Sequence, residues 1–316
     1  MAFKCRKCGK KPIINMRRHK LSLCREHYLE WVPEQTQRAI KKYKMFGPDE
    51  RVLVAVSGGK DSLALWDVLL RLGYQAYGLY ISLGIDYSNG ESYSGESLDK
   101  TRAFVDTFWP DAHLKVVDVQ ATYGAGIPQV ARASHRGRGK PCSVCGLVKR
   151  HVMNRVAREG DYAALVTGHN LDDEAAVLFS NVFYWQVGYL SRQAPTLPSS
   201  HAGLAKKVKP FCRLYERETA AYALTQGIDY VYDECPHAVG AKTIYYKELL
   251  NQLERKSPNA KLQFYLGFLR AKTKEGLFAQ VEEQVSLEPC ENCGQPTSAS
   301  GRCAFCRLWD RVEQKE

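Results

Sequence analysis

Residues 51–62 read RVLVAVSGGKDS, and this stretch decides the fold. Arg51–Val56 is a continuous, β-branched apolar run of the kind found in strands buried on both faces. Asp61–Leu72 is predicted to be a helix, with Leu63, Leu65, Leu69, Leu70 and Leu72 supplying its apolar side. Between strand and helix lies the turn Ser57, Gly58, Gly59, Lys60, Asp61, Ser62. Paired glycines let a backbone turn tightly and approach an anion. Unpaired N–H groups at the helix start, with the helix dipole behind them, favour phosphate oxygens. Ser57, Lys60 and Ser62 add donors and charge. The spacing is neither GxxxxGK[ST] nor GxGxxG.

Outward from this junction the pattern repeats. Tyr74–Ile81, His113–Val119, Tyr162–Thr167 and a short Asp229–Asp233 are predicted strands; Ser97–Trp109, Ser143–Arg158 and Tyr215–Gln226 are predicted helices. Alternation of this kind implies an α/β fold, a doubly wound and mostly parallel sheet. Such sheets bind ligands beyond the carboxyl ends of their strands, where strand order switches. A second motif, Gly168-His169-Asn170-Leu171-Asp172-Asp173-Glu174, ends the strand Tyr162–Thr167. Its carboxylates suit Mg²⁺ held through water, or a general base. They also suit a plain helix start, where acidic side chains complement the dipole. Asp173 is the preferred functional candidate, and His169 reads as a turn residue.

The chain has 316 residues, 45% of them hydrophobic, enough for a packed core. No apolar run reaches the roughly 20 residues of a membrane span, and no secretory h-region opens the sequence, so a cytoplasmic protein without a membrane partner is expected. A formal charge of +11 favours a polyanion. Arg132, His135, Arg136, Arg138 and Lys140 form a glycine-interrupted basic loop suited to a phosphate backbone, and Lys206, Lys207 and Lys209 are candidates to extend it.

Eleven cysteines, an odd number, do not make a disulfide framework. Cys5, Cys8, Cys24 and His27 form one set of paired knuckles, and Cys290, Cys293, Cys303 and Cys306 another; each offers a closed tetrahedral zinc site. The organisation expected is therefore a zinc ribbon at 1–28, a catalytic domain at 29–285 and a second ribbon at 286–316. Lys10, Lys11, Arg17, Arg18, His19 and Lys20 flank the first ribbon and favour RNA contact. Cys142 and Cys145, with the distant Cys235, fit a redox pair, an incomplete zinc site or a three-cysteine iron–sulfur site with one iron left open for sulfur. Cys212, alone on an apolar stretch, reads as packing.

The SGGKDS turn resembles that of the PP-loop ATP pyrophosphatases. The order SGGKDS, then PCxxCG, then GHNxDDE, then a cysteine in Glu234-Cys235-Pro236 resembles the PP-loop tRNA thiolases across essentially the whole chain. That resemblance implies a [4Fe-4S] cluster on Cys142, Cys145 and Cys235. It implies ATP with Mg²⁺ on Ser57, Gly58, Gly59, Lys60, Asp61, Ser62 and Gly168, and two zinc ions. Asp61, Lys149, Asp173 and the three cysteines are its catalytic candidates. The reaction implied is adenylation of a tRNA uridine at O2, with sulfur then displacing AMP. Terminal ribbons at both ends resemble the TtuA and Ncs6 types and not the TtcA type, and the overall match is closest to the TtuA type, which thiolates T-loop uridine 54. The alternatives are the wobble uridine 34 and a zinc-ribbon RNA-binding adaptor with a vestigial loop. A ubiquitin-like sulfur carrier and a homodimer are further implied.

Overall fold

The computed structural model describes residues 4–313 apart from 135, 137–140, 200, 202, 239 and 282–285. Its centre is a six-stranded sheet, in chain order β1 (Val52–Val56), β2 (Ala76–Ser82), β3 (Leu114–Asp118), β4 (Ala164–Thr167), β5 (Thr196–Leu197) and β6 (Lys207–Val208). The spatial order is β3-β2-β1-β4-β6-β5. All neighbours run parallel except β5, which pairs antiparallel with β6 at the edge. The chain winds from β1 through β2 to β3 on one side, then crosses to β4 and β6 on the other. The switch in strand order thus falls between β1 and β4, where such sheets bind ligands.

The principal helices are α1 (Arg25–Lys42), α2 (Lys60–Arg71), α3 (Tyr93–Phe108), α4 (Cys142–Glu159), α5 (Leu171–Phe183), α6 (Glu216–Gln226), α7 (Lys242–Lys256) and α8 (Ala260–Lys274). One apolar cluster joins β1, α2 and α6 to the N-terminal module through Leu23, Tyr28 and Trp31. A second, on the opposite face, joins α4 to Phe305 and Leu308 of the C-terminal module. Both short metal modules therefore borrow core from the sheet domain. The N-terminal one is continuous with it, because α1 runs from Arg25 to Lys42 across the expected boundary at residue 28. Among the described residues no helix is long and apolar enough to cross a membrane.

The expected strand at Asp229–Asp233 is absent. The N–H of Val231 donates to the carbonyl of Gly58 at 3.0 Å, so this segment clamps the phosphate turn instead of extending the sheet. The helices α7 and α8 pack on α5, whose two buried acids are neutralised by α8 and by the segment after β6. Lys261 of α8 pairs with Asp172, which is 4% exposed. Lys209 pairs with Glu174 at 2.6 Å, and the Tyr265 hydroxyl donates to the same carboxylate at 3.1 Å.

These pairs make Asp172 and Glu174 structural. Asp172→Ala would strand the Lys261 ammonium in the interior. Urea denaturation should show a loss of about 3–5 kcal/mol, the usual cost of breaking a buried pair from one side. A loss below about 1 kcal/mol would mean that the pair is solvated.

Candidate functional site

Three loops at the carboxyl edge, after β1, β4 and β6, each lead into a helix with a carboxylate in its first turn: Asp61, Asp173 and Glu216. In the first loop, Gly58 has φ +75°, and a Cβ there would sit 2.5 Å from the Ser97 carbonyl oxygen. Glycine is thus required twice over, for the left-handed backbone and for the approach to α3. The Ser57 N–H donates to Ser62 Oγ at 3.0 Å, and that hydroxyl donates to the Gly59 carbonyl at 2.9 Å. In the second loop, a Cβ on Gly168 would lie 2.9 Å from the Asp61 backbone. Asn170 joins the two loops. Its side chain donates to Asp61 at 3.3 Å and caps α5 by accepting from the N–H groups of Asp172 and Asp173. Its own N–H donates to Asp173 at 2.9 Å.

Two lysines tie the carboxylates together. Lys60 contacts Asp61 at 2.9 Å and Glu216 at 2.8 Å. Lys247, from α7, contacts Asp173 at 2.6 Å and Glu216 at 3.1 Å. Burial opposes charge on both ammoniums, but the neighbouring carboxylates outweigh it and hold both above the ordinary lysine range. Glu216 is the mirror case: burial raises its carboxyl, and Lys247 with Lys60 brings it below the usual value. Thr219 Oγ1 donates to Asp61 as well. The site therefore holds alternating charges that a triphosphate and a divalent cation can exchange into.

A cavity of about 390 Å³ opens from this edge. Its lining includes Ser57, Asp61, Ser62, Gly168 and Asp173 of the two loops together with Cys145, Lys149 and Cys235. Lys149 stands one turn after Cys145 on α4. Burial pushes the Cys145 thiol up; Lys149 opposes this, while the nearby Cys235 and Cys142 reinforce it. Cys142 is exposed, and its thiol donates to the carbonyl of His237, two residues beyond Cys235, at 3.2 Å. Cys145 and Cys235 thus line the cavity, and Cys142 stands one turn before Cys145 on α4.

Both terminal sets gather their four ligand atoms within 4.8 Å. The spacings Cys8–Cys24, Cys290–Cys306 and Cys293–Cys303 are 3.7, 3.8 and 3.8 Å. A tetrahedron with Zn–S bonds of about 2.3 Å has edges of about 3.8 Å, so both sets fit zinc and none of these pairs is a disulfide. Nδ1 of His27 completes the first set, 3.4 Å from Cys5 and 3.3 Å from Cys24. Burial raises the Cys5 thiol, but N–H groups of the knuckle outweigh it and bring it down to about 5. Cys290 is brought to about 6 in the same way.

The family model described as 2-thiouridine synthetase TtuA, N-terminal LIM domain, matches residues 4–29. A tRNA-5-methyluridine(54) 2-sulfurtransferase of Thermus thermophilus is 53% identical over 98% of this chain and 92% of its own. One from Pyrococcus horikoshii is 40% identical over 97% and 94%. The chain belongs to this sulfurtransferase family. The solved structure described as the U34-tRNA thiolase NcsA from Methanococcus maripaludis with its [4Fe-4S] cluster superposes with a TM-score of 0.76. At 22% identity, over 98% of this chain and 96% of that one, it establishes the shared PP-loop fold.

Several basic residues expected to face RNA are engaged elsewhere. Lys10 pairs with Glu26, Arg18 with Glu254 and His19 with Glu218. Lys209, after β6, serves Glu174, and Lys206, before it, donates to the Lys44 carbonyl. His135, Arg138 and Lys140 lie outside the described residues. Cys212 is fully buried packing, as expected. The sequence reading missed Asn170, Glu216, Thr219 and Lys247. Glu216 carries the same signal as Asp61 and Asp173, a carboxylate opening the helix after a parallel strand. Lys247 carries none, because its helix returns from a distant part of the chain.

Glu216→Gln removes the carboxylate shared by both lysines while keeping the helix start. tRNA-dependent AMP formation should fall by about 10–100-fold, as for residues that orient a charged site, with the melting temperature nearly unchanged. Wild-type turnover would remove Glu216 from the site.

Proposed function

We propose that this protein thiolates 5-methyluridine at position 54 of tRNA, consuming ATP and releasing AMP and pyrophosphate. One observation carries the reading: the phosphate turn and the cysteines Cys145 and Cys235 open into the same cavity. An adenylated base formed in this cavity would share it with a sulfur nucleophile held at the cysteines. The names borne by the relatives from Thermus and Pyrococcus support the choice of uridine 54.

The triphosphate rests on the N–H groups of Ser57–Ser62 and on Lys60. Asp61, Asp173 and Glu216 fit Mg²⁺, since hard carboxylate oxygens converge where the phosphates enter. The uridine O2 attacks the α-phosphorus, and pyrophosphate leaves with the bonding pair. The N3 proton passes to a carboxylate lining the cavity, for which Asp173 is the candidate where Mg²⁺ is held by Asp61 and Glu216. A sulfur nucleophile then attacks C2, and the C2–O bond breaks, so AMP departs carrying the former O2. Lys149 offers the leaving AMP a cation.

Cys142, Cys145 and Cys235 fit a cubane cluster better than a single ion. In support, the Cys142 thiol bonds to the carbonyl of His237, two residues beyond Cys235, and Cys145 feels both other thiols, yet the three are not gathered as tightly as the zinc sets. When bound, a [4Fe-4S] cluster on three thiolates supplies an open iron at which sulfide is held as a nucleophile. The donor proposed is a ubiquitin-like carrier with a C-terminal thiocarboxylate. A homodimer is proposed as well, for which the exposed Phe183, Trp185 and Tyr189 offer apolar surface. The site of action is the cytoplasm, where tRNA is modified.

Cys142→Ala should lose iron and thiolated nucleoside while keeping ATP binding and two zinc ions per chain. Cys8→Ser should keep the iron and lose one zinc. Metal analysis beside nucleoside mass spectrometry reads both. Full thiolation by iron-free Cys142→Ala would overturn the cluster role. Absence of tRNA-dependent AMP from the wild-type holoenzyme would favour the adaptor.

A further inference from the structure

A cleft of about 510 Å³ separates the N-terminal metal module from the catalytic domain. Arg17 and Arg18 of the module line one wall, Arg217 of α6 the second, and Asn251 and Arg255 of α7 the third. Its two carboxylates are already committed. Glu218 accepts from His19 and from the Tyr215 N–H. Glu254 pairs with Arg18 and accepts from the N–H groups of Asn259 and Lys261. Arg18 lies flat on the Tyr215 ring, 3.2 Å from its centroid, and its Nη1 has no hydrogen-bond partner. Arg17, Arg217 and Arg255 are exposed, and among the described residues no ion pair or hydrogen bond engages their guanidinium groups.

The cleft adjoins the site above. Arg217 follows Glu216 directly, and α7 carries Lys247 into the site and Arg255 into the cleft. Eight residues of helix at 1.5 Å each put these two about 12 Å apart along the axis. That is the rise of roughly three to four nucleotides of a stacked strand. The guanidinium fork matches two phosphate oxygens at once, and three unpaired forks around one cleft favour a polyanionic strand.

We propose that this cleft grips the sugar–phosphate backbone of the tRNA a few nucleotides from the reacting uridine. The N-terminal metal module then acts as one jaw of a substrate clamp, delivering Arg17 opposite Arg217 and Arg255. Arg17 sits in the turn between the paired strands Ile14–Met16 and Leu21–Leu23, the second of which runs directly into the ligand Cys24. This inference rests on the tRNA-thiolase reading for the identity of the strand, but its test is a binding measurement independent of thiolation.

The test compares holoenzyme with R17A/R217A/R255A, using an unmodified tRNA transcript across a series of salt concentrations. Each lost phosphate contact should flatten the plot of log affinity against log salt by about 0.7–0.9, so the triple variant should lose about 2–3 units of slope. ATP affinity and zinc content should stay at wild type, and KM for tRNA should rise more than kcat falls. R17K/R217K/R255K should recover most of the slope, because charge sets it, but not all of the affinity, because the fork is gone. An unchanged slope in the alanine variant would overturn the proposal. So would unchanged tRNA binding with loss of transfer from a protein sulfur donor, which would make the cleft a protein dock. If the wild type binds tRNA with an arginine-dependent slope but forms no thiouridine, the thiolase reading fails and the cleft stands.

Discussion

Two loops touch backbone to backbone at the centre of this molecule, and the rest of the site follows from that contact. The turn after β1 and the turn after β4 meet where Gly168 lies against Asp61 and Ser62, too close for any Cβ. Adjacent parallel strands with a reversed order of connection bring two helix starts side by side. Only glycine lets them close. Asn170 then locks the contact by bonding across it, and Asp61 and Asp173 come to line one cavity. A side chain at Gly168 would push apart the pieces that must act together.

The charges around that contact are arranged for exchange. Lys60 and Lys247 are satisfied by Asp61, Asp173 and Glu216, so neither ammonium is left unpaired. A nucleotide that brings both anions and a cation can take over each partner without stranding any. The acids between and beside them have a different part. Asp172 and Glu174 turn inward to Lys261 and Lys209, binding α5 to α8 and to β6. Three consecutive acidic residues thus divide into one that faces the cavity and two that hold the floor beneath it.

Much of this was legible in the sequence because it is local. Arg51–Val56 had to be a buried strand, and SGGKDS had to be an anion turn opening a helix; both follow from short-range chemistry. The metal sets were equally plain, since the spacing of their knuckles states the tetrahedron. The strand expected at Asp229–Asp233 failed because its apolar run is spent on Gly58 rather than on a neighbouring strand. Lys247 was invisible because nothing near it in sequence reports which distant loop its helix returns to. Burial pairing was equally hidden, so the charges of Arg18, His19 and Lys209 read as surface until the structure showed their carboxylates.

The sheet, the turn and the cysteines converge on one cavity, and that convergence is best tested by its product. Anaerobically prepared holoenzyme would be given tRNA carrying 5-methyluridine 54 but no thiouridine, with ATP, Mg²⁺ and sulfide, and the nucleosides mapped by mass spectrometry. The account predicts sulfur at C2 of uridine 54, with one AMP formed for each base thiolated. Sulfur at uridine 34 would keep the chemistry and contradict the assigned substrate. AMP without thiolated base, or neither product, would contradict the account itself.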